Sequence, residues 1–266
     1  MYKINFFKII FIPIKRILFL ISNVSKFFLR GFVWLFTSKE HTNFSYFLNF
    51  QQKSIISYVL ANFYEIDYSS TFNEINNLQN LKIDKQFKNF SKKIDLDYSP
   101  KWDYRIIPYI LLKNNKVKKI FEFGIDQGRI GYLLNYYNKE NINSNFSYIG
   151  VEKNLRKGIL LQNLNNNNIK IYYESLQSYI LKTSKKDFQE SLIISSTHEL
   201  MSEHFLFEYL EKNNIYPKYI ISDNSNENSS YSTFVKENNY EYTIISFQDP
   251  NKFLDTKYIG ISKLRA

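Results

Sequence analysis

Residues 121–131 read Phe121-Glu122-Phe123-Gly124-Ile125-Asp126-Gln127-Gly128-Arg129-Ile130-Gly131, and three of the seven glycines of the chain fall in the last eight of these positions. An apolar run, Lys119–Phe123, leads into the stretch, and a helical pattern, Ile130–Asn138, leads out of it. Strand, glycine-bearing turn and helix are how an open α/β sheet presents a ligand loop beyond the carboxyl ends of its strands. The spacing excludes one common ligand class. A nicotinamide dinucleotide site wants G-x-G-x-x-G, with a second glycine that lets backbone approach the pyrophosphate. Counted from Gly124, that place is Asp126, whose carboxylate would repel two phosphates.

Working outward, strands and helices alternate. Phe146–Val151 reads as a strand, followed by a helix through Leu164. Ile169–Tyr173 is a strand and Leu176–Leu181 a short helix. Ser191–Ser195, Glu199–Glu211, Tyr219–Ser222 and Tyr231–Asn238 continue strand, helix, strand, helix. Glu241–Phe247 and Lys257–Leu264 are two final strands with no helix between them. Alternation implies a parallel sheet with right-handed crossovers, and the closing pair implies one antiparallel strand at the C-terminal end. The fold expected is α/β, a Rossmann-like seven-stranded sheet with a helical N-terminal extension. In that extension Phe47–Phe63 has helical spacing, and Thr71-x-x-Glu74 resembles a capping box opening a helix through about Lys93. Ser99-Pro100 breaks the pattern, and Ile106–Leu112 gives a further helix that Asn114-Asn115 ends.

The strand ends supply the candidate ligand groups. Glu152 closes Tyr148-Ile149-Gly150-Val151-Glu152, where a carboxylate can accept both hydroxyls of a ribose. Glu174-Ser175 closes the third strand and can border an adenine. S-adenosylmethionine has a nucleoside but no phosphate, and it carries a sulfonium and an ammonium cation. An acidic loop suits it.

On these residues the chain resembles class I S-adenosylmethionine-dependent methyltransferases. It is similar, more narrowly, to a bacterial group with an N-terminal R-E-W/Y-T-N-F-T-Y element, an E-T-G-x-D-x-G-x-G loop, a D-x-D-H strand end and a later S-D-N. Here the first element is Lys39-Glu40-His41-Thr42-Asn43-Phe44-Ser45-Tyr46. The loop matches at Glu122, Gly124, Asp126 and Gly128, with Gly131 one step displaced, and the S-D-N is Ser222-Asp223-Asn224. The resemblance spans roughly residues 34–266. It implies the seven-stranded methyltransferase sheet and Glu122, Gly124, Asp126, Gly128, Glu152, Glu174, Ser175 and Ser195 as cofactor-binding residues. It also suggests Asn43, Tyr46 and Arg105 as a lid, against which ordinary packing of a helical cap is the alternative.

One departure bears on catalysis. Where the group has D-x-D-H, this chain has Ser195-Ser196-Thr197-His198. In related metal-dependent O-methyltransferases the first Asp of that strand end joins the later Asp-Asn in holding a divalent ion. Hard cations want oxygen ligands with at least one carboxylate. Asp223 and Asn224 are present, the other carboxylate is Ser195, and a bound divalent metal is disfavoured. Glu199, Glu203 or His204 could compensate only from a helix. His198 and Asp223 are the catalytic candidates: His198 as a base able to titrate near neutral pH, or else a helix-start histidine with a structural hydrogen bond; Asp223 for acceptor binding, or else a loop cap.

Composition sets the remaining bounds. The chain has 266 residues and no cysteine, which excludes disulfides, Cys-ligated zinc and thiol nucleophiles. The formal charge is +10. Seven of the basic residues, and no acidic one, lie in residues 1–39. The body is thus nearly balanced, and with no N/D-P-P-Y-type strand end a nucleic-acid partner is not expected. Residues 1–36 are apolar and repeatedly interrupted by Lys and Arg, too short in any uncharged stretch to span a bilayer. They read as a basic amphipathic segment on a membrane surface, with packing on the domain or a second subunit as the alternative; a cleaved signal peptide is disfavoured, because apolar residues continue to Phe36 and no small-residue cleavage site follows. The expected organisation is 1–36 membrane-surface segment, 37–115 helical cap region and 116–266 methyltransferase domain. The expected protein is cytoplasmic, peripheral on the inner face of the membrane, and acts on a small-molecule or glycan-like acceptor. The competing reading, motivated by Ser195, is a catalytically degenerate interaction protein that binds cofactor or partner without turnover.

Overall fold

The structure is a computed structural model, and it describes residues 50–80, 104–126, 128–141, 145–155, 157–158, 161, 164, 166–197, 199–223, 225, 229–248 and 256–265. Residues 1–36, the 39–46 element with its Asn43 and Tyr46, and the expected helix beyond Asn80 lie outside the described residues.

The sheet has seven strands in the order β3-β2-β1-β4-β5-β7-β6. These are β1 Lys119–Phe123, β2 Ser147–Val151, β3 Ile169–Tyr172, β4 Ser191–Ser195, β5 Tyr219–Asp223, β6 Tyr240–Gln248 and β7 Thr256–Leu264. β1 to β5 pair in parallel, and β7 lies between β5 and β6, antiparallel to both. The mostly parallel sheet with one antiparallel strand is the arrangement that the sequence predicts.

The central strands owe their place to composition. Ser-Leu-Ile-Ile-Ser in β4 and Tyr-Ile-Ile-Ser-Asp in β5 are buried at every position, as strands covered on both faces must be. Alternation then divides each strand between two layers. Ile120, Leu192, Ile194 and Ile221 join one cluster, with Leu60, Ile75, Ile107, Ile110 and Leu134. These helical residues come from α1 Phe50–Tyr64, α2 Tyr68–Asn80, α3 Ile106–Lys113 and α4 Arg129–Glu140. Phe121, Phe123, Ile193 and Ile220 join the other, with Tyr179, Phe188, Leu206 and Phe234. That layer is α5 Leu176–Lys182, α6 Lys185–Gln189, α7 Leu200–Lys212 and α8 Ser229–Glu237.

Helix ends follow local chemistry. α1, α3 and α7 end on left-handed Glu65, Asn115 and Asn214. The next amide in each case reaches back five residues: Ile66 to Ala61 O, Lys116 to Leu111 O, Ile215 to Leu210 O. These are Schellman-type stops, and in this glycine-poor chain asparagine takes the position twice. α2 starts earlier than the Thr71 capping box predicts. The Asp67 carboxylate accepts from the Ser70 amide at 2.6 Å, so Asp67 is the cap. Thr71 sits one turn inside, buried, with its hydroxyl donating to Asp67 O at 2.7 Å.

Gly124 brings backbone against backbone at the sheet's ligand end. Its φ is +85, and a Cβ there would stand 2.6 Å from Ser196 O and 2.7 Å from the Thr197 Cα. Those neighbours are backbone and cannot swing aside. Left-handed strain adds to the clash. Gly124→Ala is expected to destabilise by about 2–4 kcal/mol, lowering Tm by roughly 5–10 °C, read by thermal unfolding followed by circular dichroism.

Candidate functional site

A cavity of about 590 Å³ opens beyond the carboxyl ends of β1, β2, β4 and β5. Six carboxyl groups line it: Glu122, Asp126, Glu152, Glu174, Glu199 and Asp223. Four cations, Arg105, Arg129, Lys153 and Lys157, line it too. Their arrangement follows from the sheet, since parallel strands in register bring Phe123, Val151 and Ser195 level with one another.

The loop after β1 is tied down by backbone bonds. The Gly124 amide donates to Val151 O at 2.9 Å and the Gly128 amide to Ile125 O at 2.7 Å. Asp126 takes a left-handed φ of 48, is exposed, and accepts from the Gly158 amide at 2.7 Å through its carbonyl. Its carboxylate stands 4.0 Å from the Lys157 ammonium. Gly128, at φ +86, lets Leu161 pack where a Cβ would stand; it shapes the loop without lining the cavity.

Glu122 is the most perturbed acid. It is buried, and the Tyr148 hydroxyl donates to Oε2. Burial pushes its carboxyl up to about 8, against the opposing pull of that hydroxyl and of Arg105. Glu152 is also buried, lines the cavity, and accepts from the Asn154 amide at 3.0 Å. Glu174 pairs with Lys182 at 2.6 Å and accepts from the Ser178 hydroxyl at 2.9 Å. The Lys182 bond holds its carboxyl below the usual range. Ser175 caps α5, its hydroxyl accepting from the Ser178 amide at 3.1 Å.

At the β4 and β5 ends the structure sorts the candidates. Ser195 is fully buried and does not reach the cavity; its hydroxyl donates to Glu203 at 3.2 Å. The residues that do reach it are Ser196 and Thr197. Glu203 is buried on α7, where burial pushes its carboxyl up to about 7; the Ser195 hydroxyl opposes this and the nearby Asp223 charge adds to it. Asp223 lines the cavity, and its Oδ2 accepts from the Tyr104 hydroxyl at 3.1 Å. His204 is exposed, 3.2 Å from the Ser230 hydroxyl. His198 and Asn224 lie outside the described residues. Among the described residues no three His, Asp or Glu side chains converge as ligands of an ion.

Sequence reading missed Tyr104, which carries no motif and meets Asp223 from 119 positions away. It also missed the Lys153–Glu199 ion pair, which joins the loops after β2 and β4 at the cavity wall. Arg105, singled out from the resemblance, does line the cavity and lies 5.1 Å over the Tyr104 ring.

No protein-family model matches the sequence, and no curated protein does. Several solved structures are similar. One is the O-methyltransferase from Bacillus cereus in complex with SAH, at 12% identity over 69% of this chain and 90% of that one, TM-score 0.49. Another is the O-methyltransferase TomG from Streptomyces achromogenes in complex with SAM, at 9% identity over 66% and 86%, TM-score 0.48. A third is fibrillarin from Aeropyrum pernix with natively bound S-adenosyl-L-methionine, at 12% identity over 55% and 66%, TM-score 0.39. At such identities neither activity nor acceptor carries across.

The raised carboxyls make a stability prediction. Glu122 keeps its proton in the fold up to about pH 8 but loses it near 4.5 when unfolded. Between those values the folded state binds more protons, so stability falls as pH rises. Glu203 adds a slope of the same sign up to about 7. Urea midpoints between pH 5 and 8 should therefore decline for the wild type. Glu122→Gln should flatten the decline by up to about 1.4 kcal/mol per pH unit.

Proposed function

We propose that the chain is an S-adenosylmethionine-dependent methyltransferase acting on a hydroxyl of a small or glycan-like acceptor near a membrane surface. The observation that carries the reading is the carboxyl set Glu122, Asp126 and Glu152 around Gly124. A phosphate-bearing cofactor would meet repulsion from Asp126 and Glu152, whereas a cationic nucleoside meets charge complementarity there, a neutral Glu122 able to ionise toward it, and a ribose acceptor.

When bound, S-adenosylmethionine supplies a methyl group already activated by its sulfonium. The protein's work is then to orient and deprotonate the acceptor. Glu152 keeps carboxylate oxygen directed at the cavity for the ribose hydroxyls. Glu174 and Ser175 border the adenine end. Glu122, protonated in the closed interior, ionises when a cation approaches it. At the acceptor end Tyr104 fixes the Asp223 carboxylate, which orients the acceptor hydroxyl, and His198 is the base proposed to take its proton.

Calorimetry tests the cofactor half. Both S-adenosylmethionine and S-adenosylhomocysteine are expected to bind one to one. Glu152→Ala is expected to weaken binding at least tenfold, or about 1.4 kcal/mol. Folded wild-type protein that binds neither ligand would sink the proposal.

Residues 1–36 are proposed as a peripheral anchor on the inner, anionic face of the membrane. Among the described residues no helix is long and apolar enough to cross a bilayer. The support lies in the seven cations and no acid of residues 1–39 interleaved with Ile, Phe and Leu. Full-length protein should sediment with phosphatidylglycerol-containing vesicles and a chain lacking residues 1–36 should stay in solution. Equal pelleting of the two refutes the anchor.

A further inference from the structure

We propose that β6 pairs with β6 of a second copy of this chain, antiparallel about a two-fold axis at Ile244. β6 closes one edge of the sheet, hydrogen-bonded to β7 along its length and, among the described residues, to no strand on its other side. Its outer backbone groups are a template for another strand.

The two edges of the sheet are treated differently by the sequence. β3, at the far edge, has four residues, and exposed Lys170 stands within it. Shortness and lysine are how edges are kept from pairing. β6 has nine residues, about 30 Å of extended chain, in the order Tyr-Glu-Tyr-Thr-Ile-Ile-Ser-Phe-Gln. It contains no proline, no lysine and one charge, Glu241. That charge is answered within the chain by Lys263 at 3.4 Å. Alternation leaves an apolar patch beside the edge: Tyr240 is buried in the α8 layer, but Tyr242 is 39% and Ile244 49% exposed. Tyr258, across on β7, adds a third exposed ring.

A second copy fits this edge in an antiparallel register. With Ile244 on the axis, Tyr242 falls opposite Ser246, Thr243 opposite Ile245 and Glu241 opposite Phe247. No charge faces a like charge, and the two exposed Ile244 side chains meet. β6 runs parallel to β1–β5, since β7 is antiparallel to both β5 and β6. The two-fold therefore sends the two cavities to opposite sides of one continuous sheet, and each copy keeps its own site whole.

The absence of cysteine makes the test clean. Cα atoms directly opposite in an antiparallel pair are about 4.5–5.5 Å apart, within disulfide range. Mild oxidation of full-length Ile244→Cys should convert most of the chain to a cross-linked dimer on a non-reducing gel. Lys212→Cys, exposed at the end of α7, should give little. In sedimentation velocity the wild type is expected as a dimer and Ile244→Lys and Ile244→Glu each as monomers. An equimolar mixture of the two should recover the dimer, which also shows that both variants fold. A monomeric wild type at tens of micromolar, equal cross-linking at the two cysteine positions, or no recovery in the mixture would overturn the proposal.

Discussion

The ligand end of this protein depends on one close approach, the backbone of Gly124 against the backbone of Ser196. Three strand ends converge on that point. The Gly124 amide donates to Val151 O at 2.9 Å, and the Ser196 amide donates to Phe123 O at 2.9 Å. The Ser196 hydroxyl closes the knot on Gly124 O at 2.7 Å. β1 is thereby fixed to β2 on one side and β4 on the other just where each strand stops. A side chain at Gly124 would hold β1 and β4 apart and widen the floor of the cavity. The left-handed turns at Gly124, Asp126 and Gly128 then carry the chain up into α4 while leaving the strand ends open. The cavity exists because the loop turns away without filling the space above the strands.

An acidic floor in a buried place carries a cost, and the protein meets it with protons. Glu122 and Glu203 are both pushed up by burial, to about 8 and about 7. Each takes a hydrogen bond from a neutral hydroxyl, Tyr148 and Ser195 respectively. A hydroxyl donor supports a carboxyl in either state, so neither acid is locked as an anion. The pattern is that of two buried acids, neither fixed as an anion, of which Glu122 faces the cavity and can take up charge when a cation arrives. Glu174 is the contrast: near solvent and paired with Lys182, it is held as an anion.

The fold was legible because its signals are local. Apolar runs at β4 and β5, a glycine-bearing turn after β1 and a terminal strand pair without a helix specify the sheet and its one antiparallel member. Boundaries depended on finer chemistry. Thr71-x-x-Glu74 looked like a helix start, yet Asp67 caps the helix one turn earlier, because a carboxylate accepts the Ser70 amide directly. The site was legible only where the strand ends define it. Glu122, Asp126, Glu152, Glu174, Ser175 and Asp223 all line the cavity, since a strand end points where the sheet points it. Tyr104 comes from another element, and no spacing in the sequence announces it.

Ser195 shows why position in a strand outweighs residue type in such a reading. As the last residue of β4 it lies in register with Phe123 of β1 and Ser222 of β5, inside the sheet and covered by α7. A carboxylate at this point would have to leave the strand plane to reach a ligand. The serine instead stays below the floor and ties β4 to α7 through Glu203. The surface of the cavity at this strand passes to Ser196 and Thr197, one and two residues on. Beneath Ser195 stands a buried acid, Glu203, whose raised carboxyl feels the Asp223 charge. Two acids are still present at this corner of the sheet, one lining the cavity and one beneath it, and Tyr104 holds the upper one in place.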